Sequence, residues 1–185
     1  MPGDERRRPD TRFLFAHPAH FIALGAGAGL APVGPGTAGT LWAWVAWVAL
    51  QRWLPPGHPV AERLGIGAAA AGALALLAAV LVAGWAATVT ARHLQSGDPG
   101  AIVADEIVAF WLVLWLAMPM GFAGQLVAFL LFRFFDAAKP QPVRWADRRF
   151  KDAGGWRGGF GIVFDDLVAA FCTLLVIAAW RAATR

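Results

Sequence analysis

The segment from Arg133 to Asp166 reads RFFDAAKPQPVRWADRRFKDAGGWRGGFGIVFDD. It carries seven basic residues, Arg133, Lys139, Arg144, Arg148, Arg149, Lys151 and Arg157, and five acidic ones, Asp136, Asp147, Asp152, Asp165 and Asp166, between two strongly apolar stretches. Carboxylates at the ends of apolar helices cost free energy unless they are paired or bind a metal. The pattern therefore predicts an all-α, multihelical membrane bundle that gathers its ions at one lipid–water boundary, where a polar substrate is held. On this reading the segment is half of a site, and the other half lies upstream.

Composition agrees. A chain of 185 residues fits one domain, and 58% hydrophobic against 15% charged residues is too apolar for an ordinary soluble protein. Ten Trp suit helices with interfacial ends. The net charge of +4 is concentrated in the basic stretch, which favours anionic headgroups at a membrane surface. No motif or aromatic–basic alternation points to nucleic acid. The lone Cys172 lies in an apolar run, which leaves no disulfide framework and no cysteine-based metal site. Residues 1–18, with their charged MPGDERRRPDTR start, read as a disordered cytoplasmic tail, and residues 19–185 as a single helical membrane domain.

Along the chain, Phe21 to Leu30 is too short to cross a bilayer and predicts a short helix in or dipping into the interface. Gly34-Pro35-Gly36-Thr37-Ala38-Gly39-Thr40 breaks it, with Thr37 or Thr40 available to cap the helix bearing Trp42, Trp44 and Trp47. A glycine-rich loop opening a helix exposes backbone N–H groups that suit a phosphate, although many such loops are only turns. Arg52 to Arg63 reads as a loop, and Leu64 to Thr90 as a spanning helix. The polar turn after it holds His93, expected to be solvated. Two short apolar runs, broken at Met118-Pro119-Met120-Gly121, lead from Asp105-Glu106 to Asp136 and form a hairpin with both ionic ends on one side. A last apolar helix, from Phe160 to Trp180, has Asp165-Asp166 near its start. The expected count is about three spanning helices plus the hairpin, and the arginines of the tail and of the 139–157 loop orient the ionic ends towards the cytoplasm.

Asp105, Glu106, Asp136, Asp165 and Asp166 are the candidate metal ligands, since hard oxygens suit Mg²⁺. For Asp105-Glu106, favourable charge at a helix N-terminus is an equal alternative. Arg133, Asp136 and Lys139 recur every three residues and share a face if the helix continues that far, as part of the site or as structural ion pairs. A phosphate monoester gives the whole set a job. The metal neutralises oxygens, Lys139 with Arg133 or Arg144 offsets developing charge, and a carboxylate takes the proton of water or itself attacks phosphorus. Gly36 and Thr37 would hold the phosphate. The Ser-Gly-His motifs of histidine-nucleophile lipid phosphatases, the Asp-x-Asp start of aspartate-nucleophile phosphatases and the D-G-x-x-A-R signature of CDP-alcohol phosphotransferases do not occur.

Three blocks resemble the phosphatidylglycerophosphatase A family: HFIALGAGAGLAPVGPGTAGTLWA (His20 to Ala43), IVADEIVAFW (Ile102 to Trp111) and the run from Phe132 to Ala170. The resemblance implies an Mg²⁺-dependent bacterial inner-membrane enzyme that takes the terminal phosphate from phosphatidylglycerophosphate to leave phosphatidylglycerol. It marks Asp105, Glu106, Asp136, Lys139, Asp165 and Asp166 as catalytic, Arg144 and Asp147 as substrate contacts, and Pro35-Gly36-Thr37 as the loop. Ala109 and Gln141 depart from the family pattern without removing a charge. Two alternatives stand beside this reading. One is a phosphatase of another lipid or prenyl phosphate. The other is an ion-coupled transporter, which would place its carboxylates nearer the midplane than these helix ends.

Overall fold

The glycine-rich approach to Asp165 decides how the bundle closes. The structure, a computed structural model, describes residues 9–53, 67–95, 100–150 and 155–184. Among these the chain is helical without strands: α1 (Thr11–Ala16), α2 (Pro18–Ala23), a 3₁₀ stretch (Gly25–Leu30), α3 (Pro35–Trp53), α4 (Ala68–His93), α5 (Ala104–Ala117), α6 (Phe122–Ala138), α7 (Val143–Phe150) and α8 (Gly155–Ala183). Glycine inside a helix costs up to about 1 kcal/mol relative to alanine. In α8 that cost is offset by close approach. A methyl group on Gly159 would overlap the Thr88 hydroxyl and come 2.8 Å from the Gly84 carbonyl of α4, and one on Gly161 would overlap Phe150 of α7. The last helix therefore begins at Gly155, earlier than the apolar run alone predicts. Asp165 and Asp166 consequently lie about three turns inside it, not near its head.

Helix α8 is the centre, packing against α4, α5, α6 and α7. Phe110, Val113, Leu114, Phe129, Phe132 and Ala169 form the main core between α5, α6 and α8. The hairpin of α5 and α6 folds back as expected, since Arg133 near the end of α6 reaches Glu106 at the start of α5. At its turn, Arg181 of α8 donates to the carbonyls of Ala117 (2.5 Å) and Pro119 (3.2 Å) and ties down the far end. Among the described residues two helical segments are long and apolar enough to cross a membrane, Ala69–His93 and Gly155–Ala183. The third expected span, α3, is long enough at 19 residues, or about 28 Å, but is less apolar. Its first turns carry Gly36, Thr37, Gly39 and Thr40.

The amino-terminal region corrects two expectations. Part of the predicted disordered tail is folded: Asp10 accepts from the Phe13 N–H at 2.8 Å and caps α1, whose Leu14 is buried. Residues 1–8 lie outside the described residues, as do most of the Arg52–Arg63 loop, Lys151 and Asp152. Nor is His93 merely solvated. His20 Nδ1 meets the Phe13 carbonyl at 2.8 Å, and its Nε2 meets His93 Nδ1 at 2.7 Å. Burial lowers the His20 pKa, helped by His93 and His17 and opposed by the Phe13 carbonyl. This neutral imidazole stabilises the fold at neutral pH, and the contribution is lost as pH falls through the lowered pKa.

The run from Phe21 to Leu30 is not one interfacial helix. Left-handed φ values at Gly25 (54°), Ala26 (54°) and Gly27 (108°) turn it inward after α2. Two glycines then close on the segment leading into α5. Added methyl groups on Gly25 and Gly39 would stand 2.9 and 2.7 Å from Val103 side-chain carbons. The Val103 N–H donates to the Ala23 carbonyl at 2.8 Å. Both glycine motifs thus pin Val103, the residue just before α5 and two positions ahead of Asp105.

Candidate active site

Six carboxylates line one cavity of about 170 Å³, and the helices deliver them in two kinds. Asp105 and Glu106 come from the first turn of α5, and Asp166 from α8. One oxygen from each of the three lies within 4.8 Å of the others. Asp105 Oδ1, Glu106 Oε2 and Asp166 Oδ2 are buried without a hydrogen-bond partner. Three converging carboxylates with unsatisfied oxygens repel one another and are expensive to bury, so the arrangement demands a cation or protons. A hard divalent ion with oxygen ligands fits the donor set.

The other three acids are already paired. Asp136 Oδ2 accepts from Arg133 Nη1 at 2.5 Å, one turn earlier on α6. Asp165 Oδ2 and Asp147 Oδ1 both accept from Lys139 Nζ at 2.5 Å. The expected spacing of three therefore holds for Arg133 and Asp136 but not for Lys139. Helix α6 stops at Ala138, and Lys139 adopts the left-handed conformation (φ 43°, ψ 55°), which directs its side chain to α7 and α8. Such a conformation costs a non-glycine residue roughly 1–2 kcal/mol. Burial acts to lower the Lys139 pKa, but the bonds to Asp147 and Asp165 outweigh it and raise it above that of an ordinary lysine. The resulting stabilisation is fully present below the usual lysine pKa and is lost only as pH rises through the raised value.

The glycine loop contributes differently from its sequence reading. Helix α3 starts at Pro35, a favoured first helical residue, so neither Thr37 nor Thr40 is its cap. Gly36 faces the acids: an added methyl group would overlap Glu106 Oε1 and stand 3.3 Å from Arg133 Nη2. Thr37 is exposed and folds back towards Gly34. The buried residue one turn on from Gly36, Thr40, was missed. Its hydroxyl donates to the Gly36 carbonyl at 2.8 Å and accepts from Arg133 Nη1 at 3.2 Å. Recognising Pro35 as the first helical residue would have placed Thr40 on the Gly36 face. Arg144 is exposed on α7 and does not line the cavity. Asp147 does, and so do Phe150, Gly158, Gly161 and Ile162. None of these last four stands out in the sequence.

Comparison with known proteins bears on what this arrangement does. The profile of the family described as phosphatidylglycerophosphatase A matches residues 21–181. Phosphatidylglycerophosphatase A of Escherichia coli (strain K12) is 32% identical over 160 residues, which cover 86% of this chain and 81% of that protein. Its namesake in Haemophilus influenzae (strain Rd) is 31% identical over 170 residues, covering 91% of this chain and 92% of that one. A Bacteroides thetaiotaomicron protein named as a candidate phosphatidylinositol-3-phosphatase is 34% identical over 164 residues, 86% of this chain and 91% of its own. No solved structure shows significant similarity.

Proposed function

The chain belongs to the phosphatidylglycerophosphatase A family, and from that premise we propose that it is a membrane lipid phosphatase that hydrolyses the terminal phosphate of phosphatidylglycerophosphate to give phosphatidylglycerol and inorganic phosphate. The observation that carries this reading is the division of the cavity: three carboxylates left open for a cation stand beside acids already paired with Lys139 and Arg133. Asp105, Glu106 and Asp166 would hold Mg²⁺, which neutralises phosphate oxygens and polarises water when bound.

The chain's own residues supply the rest. Two of the three Lys139 donors are used by Asp147 and Asp165, leaving the third for a phosphate oxygen in the cavity that Lys139 lines. Arg133 adds a second positive group, held in place by Thr40 and Asp136. Asp136 spends one oxygen on Arg133 and lines the cavity, where it accepts a proton from the attacking water. Gly36 leaves room for the Glu106 carboxylate. The P–O bond to the lipid breaks, its glycerol oxygen takes up a proton from solvent, and phosphatidylglycerol leaves as the alcohol. The site faces the cytoplasm across the inner membrane, a reading supported by the exposed arginines of α7 close to the cavity.

The test is phosphate release by purified protein in detergent, with a divalent-metal series against EDTA. Phosphatidylglycerophosphate, phosphatidylinositol 3-phosphate and a prenyl phosphate would be compared as substrates. Release that is restored by Mg²⁺ and fastest on phosphatidylglycerophosphate supports the proposal. Folded protein that releases phosphate from none of them with any metal ends it. Preference for phosphatidylinositol 3-phosphate would move the substrate towards the one in the name of the Bacteroides relative.

A further inference from the structure

Helix α7 has two faces that do different work. Val143, Ala146, Asp147 and Phe150 follow the i, i+3, i+4, i+7 pattern and turn inward: Val143 and Ala146 are buried, and the other two line the cavity. Phe150 packs edge-on against Phe164 of α8, ring centroids 5.5 Å apart, and covers Gly161. Arg144, Trp145, Arg148 and Arg149 point outward and are exposed. The only acid of the helix, Asp147, is turned inward and neutralised by Lys139, so the outward face bears three cations with no counter-charge of its own. Trp145, 55% accessible, lies on this face, and Phe160 of α8, 44% accessible, packs edge-on against Phe150 with ring centroids 5.9 Å apart. Large exposed aromatic rings beside arginines suit the headgroup layer, where rings sit at the acyl boundary and cations meet phosphates.

We propose that the outward face of α7 is a docking surface for anionic phospholipid headgroups, distinct from the catalytic cavity, which holds the helix against the leaflet and raises the local concentration of an anionic lipid substrate at the mouth of the site. The occupant follows from charge complementarity. Three arginines with no ion pair among the described residues, set beside exposed aromatics, fit a negatively charged lipid surface, and a zwitterionic one offers them no net attraction. The inward face of the same helix bears Asp147, which holds Lys139, so the docked helix also carries part of the site. The docking itself rests on the membrane reading, and its kinetic consequence rests on the hydrolysis proposed above.

The experiment attaches an environment-sensitive fluorophore at Gln141→Cys, an exposed position just before α7, in a Cys172→Ala background reconstituted into vesicles. Brominated lipids report its depth. With arginines intact, adding phosphatidylglycerol to phosphatidylcholine vesicles should deepen the label, and high salt should reverse the change. Arg148→Gln/Arg149→Gln should abolish this response, and Arg148→Lys/Arg149→Lys should retain it. In the same vesicles the double glutamine variant should raise the apparent KM for dispersed substrate roughly tenfold or more, with kcat unchanged, since each cation near such a surface contributes measurably. Hydrolysis of a short-chain, water-soluble analogue should be unaffected. A label indifferent to lipid charge, or glutamine and lysine variants that behave alike, would overturn the docking surface. If neither protein released phosphate, the hydrolysis reading would fail, while label depth would still decide the docking.

Discussion

Two groups of buried acids lie within one cavity, and they are handled in opposite ways. Asp136 and Asp165 have cations from the same chain at 2.5 Å, whereas Asp105, Glu106 and Asp166 converge with one oxygen each that has no hydrogen-bond partner, the other Glu106 oxygen lying 3.9 Å from Arg133. Paired acids stabilise a fold, and their cations remain available to an anionic substrate. Unpaired acids destabilise it and are retained where something binds them. The difference teaches that charge alone does not mark a ligand site in a membrane bundle; what marks it is charge that the fold declines to neutralise.

The sharpest way to break the comparison is to remove one acid from the open group. Asp166→Asn should lower phosphate release about a hundredfold or more, a barrier increase of roughly 2.7 kcal/mol. The same change relieves repulsion, so thermal unfolding in EDTA should occur a few degrees higher, as about 1 kcal/mol corresponds to roughly 2–4 °C for a chain of this size. Stabilisation by added Mg²⁺ should shrink in the variant. A variant that is less stable in EDTA would contradict the unpaired reading.

In the paired group the sign of the stability change should reverse. Lys139→Met strands Asp147 and Asp165, and should lower both activity, by about tenfold or more, and stability, by roughly 2 kcal/mol given that the lysine is partly exposed. Loss of activity without loss of stability in a denaturation curve would show that the two ion pairs are not structural. Gly36→Ala sharpens the boundary between the groups, because its methyl group meets Glu106 and Arg133 together. About a tenfold fall in kcat is expected, of the order produced by about 1.4 kcal/mol of misplacement. Thr40→Val should cost a few-fold through the loss of a hydrogen bond worth about 1 kcal/mol, and Thr40→Ser should restore activity. Smallest of all, Thr37→Ala should change kcat/KM by less than about twofold, because surface changes are usually within ±0.5 kcal/mol.

The all-α membrane class follows from the sequence alone. Long apolar runs must satisfy their backbone internally, and few ions among many apolar residues leave no soluble alternative. The return of α6 to Glu106, the family resemblance and the gathering of acids at one end were likewise legible, because a hairpin's geometry follows from its length and its break. Tertiary structure alone decided which acid meets which cation. Lys139 shares a three-residue spacing with Asp136, yet one left-handed residue sends it to Asp147 and Asp165 instead. Thr37 and Thr40 look equivalent in the glycine loop until the helix starts at Pro35 and only Thr40 faces Arg133. Asp165 and Asp166 read as the head of a helix until Gly159 and Gly161 find close partners on α4 and α7 and draw the helix back to Gly155. Apolar periodicity is a property of a segment and can be read from it, whereas pairing of charges depends on the direction of individual side chains across helices distant in sequence, which packing alone determines.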